Sequence, residues 1–252
     1  MPRGKFDLET VNKLLGVDES YKAPDKLLKI MFDKKKREKL FREFLDVSTD
    51  VSYDWFHEYF QDEQAERKTR KQDFTPTSIS NILSILIKNP ETAKSTYDVA
   101  AGTGGMTIVS WWNDMIQESP FFYLPQEHLF YCEELSDRAM PFLLFNLAIR
   151  GMNAVVWQGD SLARTCKGVF LIENPTDNHM GFSDINTMPR TDDVKRYFEI
   201  DKWVGDPYPE HIETDMFDWA KAMDKSVQDR QKTFEKYSNA FNYVKERTKS
   251  AE

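Results

Sequence analysis

The stretch Asp98-Val99-Ala100-Ala101-Gly102-Thr103-Gly104-Gly105-Met106 decides the fold that we predict for this chain. Val99 and Ala100 are apolar, as in a buried parallel strand, and a glycine-rich turn follows them. Glycine adopts positive φ angles and lets a ligand approach the backbone without meeting a Cβ atom. A helix that begins after such a turn has free N–H groups in its first turn. The stretch therefore predicts a strand, a tight turn and a helix that hold a small ligand at a sheet edge.

A dinucleotide is one ligand that such a turn can hold. The G-x-G-x-x-G fingerprint requires a third glycine at position 107, where this chain has Thr107. Asp98 immediately precedes the turn, and its negative charge would repel a pyrophosphate. An acid at this position suits a ligand that carries positive charge.

Length and composition place the chain among globular proteins. Its 252 residues are enough for one α/β domain with a modest appendage, and no apolar run is long enough to span a bilayer. The N-terminal sequence MPRGKFDLET lacks the apolar core of a signal peptide. Cys132, Cys166 and four scattered histidines predict neither a disulfide framework nor a metal site. We therefore expect a soluble cytoplasmic protein with no metal and no membrane contact.

The charge distribution bears on whether the chain binds nucleic acid. A formal net charge of -8 argues against a broad basic surface for this purpose. Two basic clusters are present, at residues 33–39 and 67–71. We interpret the first as the solvated face of a helix. Whether the second contacts DNA or only water is left open by the sequence.

Residues 1–70 are predicted to be helical. Apolar residues at helical spacing indicate one helix that ends at Gly16 and a longer one that runs from Pro24 to Leu45. Another helix is expected to begin near Ser52. It carries an aromatic stripe that we expect to pack into the core, formed by Trp55, Phe56, Tyr59 and Phe60.

Three more buried strands are predicted after the glycine turn, at Leu129–Cys132, Ala154–Trp157 and Val169–Ile172. Polar residues follow each of them. In a doubly wound sheet the ligand-binding residues collect at the carboxyl ends of the strands. We therefore expect four strand-end residues to meet at one edge: Asp98, Glu134, Asp160 and Asn174. Residues 183–215 are interpreted as loop and residues 216–249 as one or two helices.

The order of these motifs resembles that of S-adenosylmethionine-dependent DNA adenine methyltransferases, in particular the modification subunit of type I restriction-modification systems. The resemblance rests on Phe74-Thr75-Pro76 (motif X), D-x-A-x-G-x-G from Asp98 (motif I), Glu134 (motif II), N-L-A-x-R-G from Asn146, and Gly159-Asp160-Ser161-Leu162 (motif III). It implies an α/β fold with a Rossmann-like sheet, doubly wound and mostly parallel, over residues 71–190. A helical N-terminal region (1–70) and a helical C-terminal extension (191–252) would flank this core.

The resemblance also implies S-adenosylmethionine as the cofactor. The residues that would bind it are Phe74, Thr75, Pro76, Asp98, Ala100, Gly102, Thr103, Gly104, Gly105, Glu134 and Asp160. The register of the family's motif selects Glu134 over Glu133 as the ligand of the ribose hydroxyls. Asp160 would lie near the adenine of the cofactor.

Motif IV of that family, N-P-P followed by an aromatic residue, carries the catalysis. An asparagine oxygen and the first proline's carbonyl accept the hydrogens of the adenine amine, and the aromatic ring stacks on the flipped base. This chain has Asn174 and Pro175 as the corresponding catalytic residues, but Thr176 and Asp177 follow them. Thr176 relaxes the turn, and Asp177 places a negative charge where a base would stack.

Three functions are consistent with this sequence. The first is a small orphan or phage-type DNA adenine methyltransferase, with DNA and a specificity or other protein subunit as partners. The second is a methylase-like protein with a degenerate motif IV that binds the cofactor or a protein partner in a regulatory or anti-restriction role. The third is a methyltransferase for an acceptor other than DNA. The fold alone does not separate these functions.

Overall fold

A computed structural model describes residues 5–60 and 95–214. The described residues up to Glu213 belong to one compact unit. The predicted F-T-P turn at 74–76 and the helices predicted over 216–249 lie outside the described residues.

The N-terminal region forms helices α1 (Leu8–Leu15), α2 (Ala23–Met31) and α3 (Lys34–Val47), with a short 3-10 helix at Ser20–Lys22. As predicted, Gly16 ends α1, in a left-handed conformation with φ 62°. The long helix expected from Pro24 to Leu45 is instead two helices. The side chain of Asp33 accepts a hydrogen bond from the N–H of Lys36 (3.1 Å) and so begins a new helix.

The remaining elements form a six-stranded sheet with its connections. They are β1 (Ser95–Asp98), α4 (Gly105–Glu118), a 3-10 helix (Pro125–Glu127), β2 (Leu129–Glu134), α5 (Met140–Ile149), β3 (Ala154–Asp160), β4 (Thr165–Glu173), β5 (Asp184–Thr187), α6 (Asp192–Tyr197) and β6 (Lys202–Trp203). Strands β1, β2 and β3 are parallel neighbours, and β6 is parallel to β4. The predicted Rossmann-like, mostly parallel α/β sheet is confirmed. Neighbouring strands follow the order β1-β2-β3-β4-β5, which is also their order in the chain, so the strand order does not change direction among the described strands.

Strand β4 runs antiparallel to β3. Asp160 pairs with Thr165, whereas Ala154 pairs with Ile172, so the carboxyl end of β4 lies at the opposite edge of the sheet from the carboxyl end of β3. Only residues 161–164 join the two strands, and a parallel connection needs a dozen or more residues. The expectation that Asn174 meets the other strand-end residues is therefore wrong. The seven residues of β3 separate the two edges by roughly 20 Å.

The chain between residues 183 and 215 is more regular than the expected loop. It contains β5, which pairs with β4, and α6, which the side chain of Thr191 caps by accepting a hydrogen bond from Val194 (3.2 Å). It also contains β6, where Trp203 pairs with Cys166. The sheet thus extends beyond residue 190, where the sequence predicted that the core ends.

The N-terminal helices and the sheet share one hydrophobic core. Helix α5 is buried at all ten of its residues, because α2 packs against it on one side and strands β3 and β4 on the other. The predicted aromatic stripe is confirmed as part of this core: Phe56 contacts Phe142 with ring centroids 4.7 Å apart. Within residues 5–60 and 95–214, no helix has the length and apolar character to cross a bilayer.

One residue of the first basic cluster is buried, contrary to the solvated face that was predicted. Arg37 is 1% exposed and donates to the carbonyl of Met31 (2.6 Å) and to Glu213 Oε1 (2.7 Å). Its second terminal nitrogen donates to Glu213 Oε2. This bidentate pair joins α3 to the segment that follows the sheet.

Candidate cofactor-binding site

A cavity of about 370 Å³ lies where β1, β2 and β3 end. This volume falls in the range of small-molecule sites. The residues that line it come from all three strand ends, from the glycine turn and from the N-terminal region: Asp54, His57, Asp98, Val99, Ala100, Ala101, Gly102, Gly105, Met106, Glu134, Leu135, Gly159, Asp160, Ser161 and Leu162. The parallel half of the sheet therefore forms a cavity at the edge where the sequence predicted a ligand site.

Two glycines of the turn adopt the positive φ angles that the sequence predicted. Gly102 has φ 57° and Gly104 has φ 94°, both in the left-handed region. A Cβ atom on Gly104 would lie 3.0 Å from Leu143 Cδ1, so the turn also packs tightly against α5. Val99 and Ala100, however, are exposed and follow the strand, which ends at Asp98. The expectation that they form its buried end is wrong.

Asp98 lies at the end of β1 and beside the start of α4. Its Oδ1 accepts from the N–H of Ala100 (3.3 Å), and its Oδ2 accepts from the hydroxyl of Thr107 (3.1 Å). Burial raises the pKa of Asp98 above its ordinary value, although these two donors act in the opposite direction. A positively charged ligand would stabilise the ionised carboxylate.

Glu134 joins the end of β2 to the glycine turn. Its Oε2 accepts from the N–H of Gly102 (2.7 Å), and its Oε1 accepts from the N–H of Ser136 (2.6 Å). Burial raises the pKa of Glu134 despite these backbone donors. The carboxylate thus lines the cavity and also fixes the position of the turn.

Glu133 has different surroundings, because neighbouring residues of a strand point to opposite faces. It accepts hydrogen bonds from Tyr97 (2.6 Å) and Arg164 (2.8 Å), and it is not among the described residues that line the cavity. Burial would raise the pKa of Glu133, but hydrogen bonds from Ser161, Tyr97 and Arg164 outweigh burial and hold it below its ordinary value. Of the two glutamates, only Glu134 is positioned to contact a ligand in the cavity.

Asp160 has a structural role in addition to its place in the cavity. Its Oδ1 accepts from the N–H groups of Leu162 (3.0 Å) and Ala163 (2.9 Å), so it shapes the turn between β3 and β4. Ser161 in this turn donates to the carbonyl of Val99 (3.3 Å), which ties the ends of β1 and β3 together.

The cavity is acidic. Four carboxylates contribute to its lining, from Asp54, Asp98, Glu134 and Asp160, and its described lining contains no lysine or arginine. A phosphate-bearing dinucleotide would be repelled, whereas a cationic ligand would be attracted. The described residues place no three side chains of His, Cys, Asp or Glu together in a way that could hold a metal ion.

The predicted cofactor-binding residues fall into three groups. Those that line the cavity are Asp98, Ala100, Gly102, Gly105, Glu134 and Asp160. Thr103 and Gly104 belong to the turn but are not among its described lining residues. Phe74, Thr75 and Pro76 lie outside the described residues, and their role stays a prediction.

Asn174 and Pro175 lie at the other edge of the sheet, and Pro175 is exposed. The side-chain nitrogen Nδ2 of Asn174 donates to the carbonyls of Gly151 (2.9 Å) and Asn178 (2.8 Å). Its oxygen accepts from the N–H (3.2 Å) and the hydroxyl (3.0 Å) of Thr176. Asn174 is 5% exposed, and both ends of its side chain are engaged, by groups of its own turn and by the carbonyl of Gly151 after α5.

Sequence reasoning did not identify Asp54 and His57 as site residues. The aromatic residues around them indicated a core segment, which was confirmed. For this reason the polar residues between the aromatic ones were not considered as site residues. The N-L-A-x-R-G match to Asn146 and Arg150 was a signal, since both residues contact the segment that carries Asp54.

A mostly parallel α/β sheet with a glycine turn and an acidic cavity at its strand ends defines a Rossmann-like fold. The model of the N-6 DNA methylase family matches residues 46–187, which is more than half of the chain. The chain therefore belongs to the N-6 DNA methylase family. Neither a search of curated proteins nor one of solved structures gave a match.

Proposed function

We propose that this chain binds S-adenosylmethionine in the acidic cavity, and that its N-P-T-D turn has a structural role rather than a catalytic one at this site. The observation that carries the proposal is a cavity that is lined by the glycine turn, by three carboxylates at the ends of β1, β2 and β3, and by the carboxylate of Asp54 from the N-terminal region. S-adenosylmethionine carries an α-ammonium and a sulfonium, and both are positive. Membership of the N-6 DNA methylase family supports the same cofactor.

The residues of the cavity fit the parts of this cofactor. Glu134 offers carboxylate oxygens to the ribose hydroxyls, and Asp98 offers a negative charge to the cationic end. Asp160 lies at the third strand end, where the family places a residue near the adenine. When bound, S-adenosylmethionine supplies an electrophilic methyl group.

The structural role of the N-P-T-D turn follows from its position and bonding. Asn174 lies at the sheet edge opposite the cavity, and its amide is fully engaged by neighbouring groups. The side chain of Asp177 accepts a hydrogen bond from the N–H of Gln126 (2.8 Å), which connects the turn to the 3-10 helix before β2. Methyl transfer to an amine at this cavity would therefore need side chains other than Asn174 to accept the hydrogens of that amine.

A second candidate function is methyl transfer to the exocyclic amine of adenine in DNA. Family membership favours it, because the match to the N-6 DNA methylases includes both the cavity and Asn174-Pro175. In this case Asn174 and Pro175 would accept the hydrogens of the amine, and the strands near them would have to rearrange.

Partners of the chain follow from its charge. Several lysines of the first basic cluster form ion pairs: Lys34 with Asp184 (2.5 Å), Lys36 with Asp33 (2.7 Å) and Lys39 with Glu43 (3.6 Å). Together with the net charge of -8, these pairs favour weak DNA binding by the chain alone. We propose that a specificity subunit or another protein partner supplies the main contact with DNA.

Isothermal titration calorimetry tests cofactor binding. We expect S-adenosylmethionine to bind with one site per chain, and NAD⁺ to give no binding because its pyrophosphate meets the acidic cavity. Absence of heat with S-adenosylmethionine would contradict the proposal.

A methyl-transfer assay separates the two candidate functions. Tritiated S-adenosylmethionine is incubated with unmethylated DNA and either the wild type or Asn174→Ala, with circular dichroism as a check of folding. The structural role predicts no difference in incorporation between the two proteins. Incorporation by the wild type that is lost in a folded, cofactor-binding Asn174→Ala variant would establish the second candidate instead.

The affinity for S-adenosylmethionine is expected to fall as the pH is lowered. The pKa values of Asp98 and Glu134 are raised by burial, and a cation binds their ionised forms, so binding lowers both pKa values. Protonation at low pH therefore competes with binding. Titrations from about pH 8 to about pH 5 measure the trend, and Asp98→Asn should make it shallower. An affinity that is constant or increases toward acid pH would contradict this prediction.

A further inference from the structure

The segment of residues 51–56, which follows α3 and includes the first two residues of the aromatic stripe, contacts the glycine turn. Asp54 Oδ2 accepts from the hydroxyl of Thr103, and its Oδ1 accepts from Asn146 Nδ2 (2.8 Å). The same Asn146 nitrogen donates to the carbonyl of Thr103 (2.7 Å). A Cβ atom on Gly105 would lie 3.9 Å from Asp54 Cβ, so the segment lies directly against the turn.

Arg150 holds this segment on the end of α5. Its Nε donates to the carbonyl of Val51 (2.8 Å), and its Nη2 donates to the carbonyl of Tyr53 (2.6 Å). Its Nη1 donates to the carbonyl oxygen (2.8 Å) and the side-chain oxygen (2.9 Å) of Asn146. The guanidinium also lies 5.2 Å from the ring centroid of Trp55. A single buried network thus connects the N-terminal segment, the end of α5 and the glycine turn.

The network supplies hydrogen-bond partners for polar groups that are buried at the end of α5 and in the glycine turn. Without these partners, burying the groups would lower the stability of the fold. Thr103 and Asn146 are each 1% exposed or less, and Asp54 is 9% exposed. Buried hydrogen bonds of this kind fix geometry, because losing one partner leaves the other unsatisfied. Asp54 is the member of the N-terminal segment that contacts both the turn and α5.

We propose that Asp54 is a positioning residue of the cofactor site, which holds the glycine turn in its binding conformation through Thr103. This inference rests on the proposed function, since the cofactor is what the turn would bind. It makes the N-terminal segment a working part of the site: the turn is ordered for binding only while residues 51–56 are docked on α5.

The test measures S-adenosylmethionine affinity in a double-mutant cycle. Asp54→Ala and Thr103→Val are each expected to raise the Kd about tenfold or more, and the double variant is expected to be no weaker than the poorer single variant. Asp54→Asn should bind at least about threefold more tightly than Asp54→Ala, because its amide oxygen still accepts from Asn146 and its nitrogen can donate to Thr103, although it also removes one of the four negative charges of the cavity. Multiplying effects in the double variant, or an Asp54→Asn Kd as high as that of Asp54→Ala, would overturn the inference.

Tyr59→Phe is the matched control. It removes a hydroxyl that donates to Asn12 Oδ1 (3.0 Å) in the N-terminal region, so it lowers stability without touching the turn. Its Kd should equal that of the wild type. A Kd raised as much as in Asp54→Ala would show that general loosening of the region is sufficient, and would overturn the positioning role.

Hydrogen exchange of the free protein separates this inference from the proposed function. Asp54→Ala and Thr103→Val should increase amide exchange within residues 102–106, and Tyr59→Phe should not. If the wild type binds no S-adenosylmethionine but the turn still loosens in these two variants, the proposed function fails and the positioning role stands. Unchanged exchange in both variants would overturn the positioning role whatever the protein binds.

Discussion

Replacing Glu134 with glutamine is expected to weaken S-adenosylmethionine binding by about 100-fold, or about 2.7 kcal/mol. The carboxylate accepts from the N–H groups of Gly102 and Ser136 at the same time. A glutamine amide has only one oxygen, so its NH₂ group would face one of these donors and displace the turn. The substitution also removes a negative charge from the part of the cavity assigned to the ribose. Titration calorimetry of the purified variant measures the effect.

Glu133→Gln is the control for this prediction, because Glu133 is the neighbouring residue on the opposite face of β2. Its side-chain carboxylate accepts hydrogen bonds from Tyr97 and Arg164 and none from the glycine turn. Its loss should lower the free energy of unfolding but leave the Kd within about twofold of the wild type. A large loss of affinity in Glu133→Gln with little change in Glu134→Gln would reverse the assignment.

Replacing Asn174 with alanine is expected to lower the free energy of unfolding by about 2–4 kcal/mol. The side chain makes four hydrogen bonds, and its removal leaves the buried carbonyl of Gly151 and the carbonyl of Asn178 without this donor. The melting temperature should fall by roughly 5–15 °C for a chain of this size. The affinity for S-adenosylmethionine should stay within about twofold of the wild type, because the cavity lies at the other edge of the sheet.

Thr176→Val supplies the comparison for Asn174→Ala. It removes only the hydroxyl that donates to Asn174 Oδ1 (3.0 Å) and keeps the size of the side chain. We expect a loss of about 0.5–1.5 kcal/mol in urea unfolding. If Asn174→Ala unfolds like the wild type but loses cofactor affinity, the turn belongs to the cofactor site and the structural role is wrong.

The glycine turn and the choice of Glu134 could be predicted from the sequence, because both depend on short stretches. Positive φ at Gly102 and Gly104 favours glycine whatever surrounds the turn. The register of the family's motif selected Glu134 over Glu133, and in the structure the two side chains point to opposite faces of β2. Motif order added the position of Asp160, which lines the same cavity.

The direction of β4 could not be predicted in the same way. The apolar residues Val169–Ile172 indicated a strand but not where it begins. Residues 158–168 would then form a connection of eleven residues, close to the dozen that a parallel crossover takes, and the strand was interpreted as parallel. The strand in fact begins at Thr165 and includes Lys167 and Gly168. Only residues 161–164 remain as a connection, and four residues allow only a hairpin. The error about Asn174 follows from this one boundary.

Residues whose roles depend on distant partners were also missed. Arg37 is followed by charged residues and resembles a solvated position, yet it pairs with Glu213 far along the chain. Asp54 contacts Thr103 and Asn146, which lie on two other elements. Local periodicity carries no information about such contacts, because the partners come together only when the core packs.

Hydrogen exchange with and without S-adenosylmethionine tests the central claim most directly, since it reports both sheet edges in one measurement. We predict that the cofactor protects amides in residues 98–106, 133–136 and 159–162, and leaves residues 173–182 unchanged. Protection of residues 173–182, or no protection at the ends of β1, β2 and β3, would contradict the account.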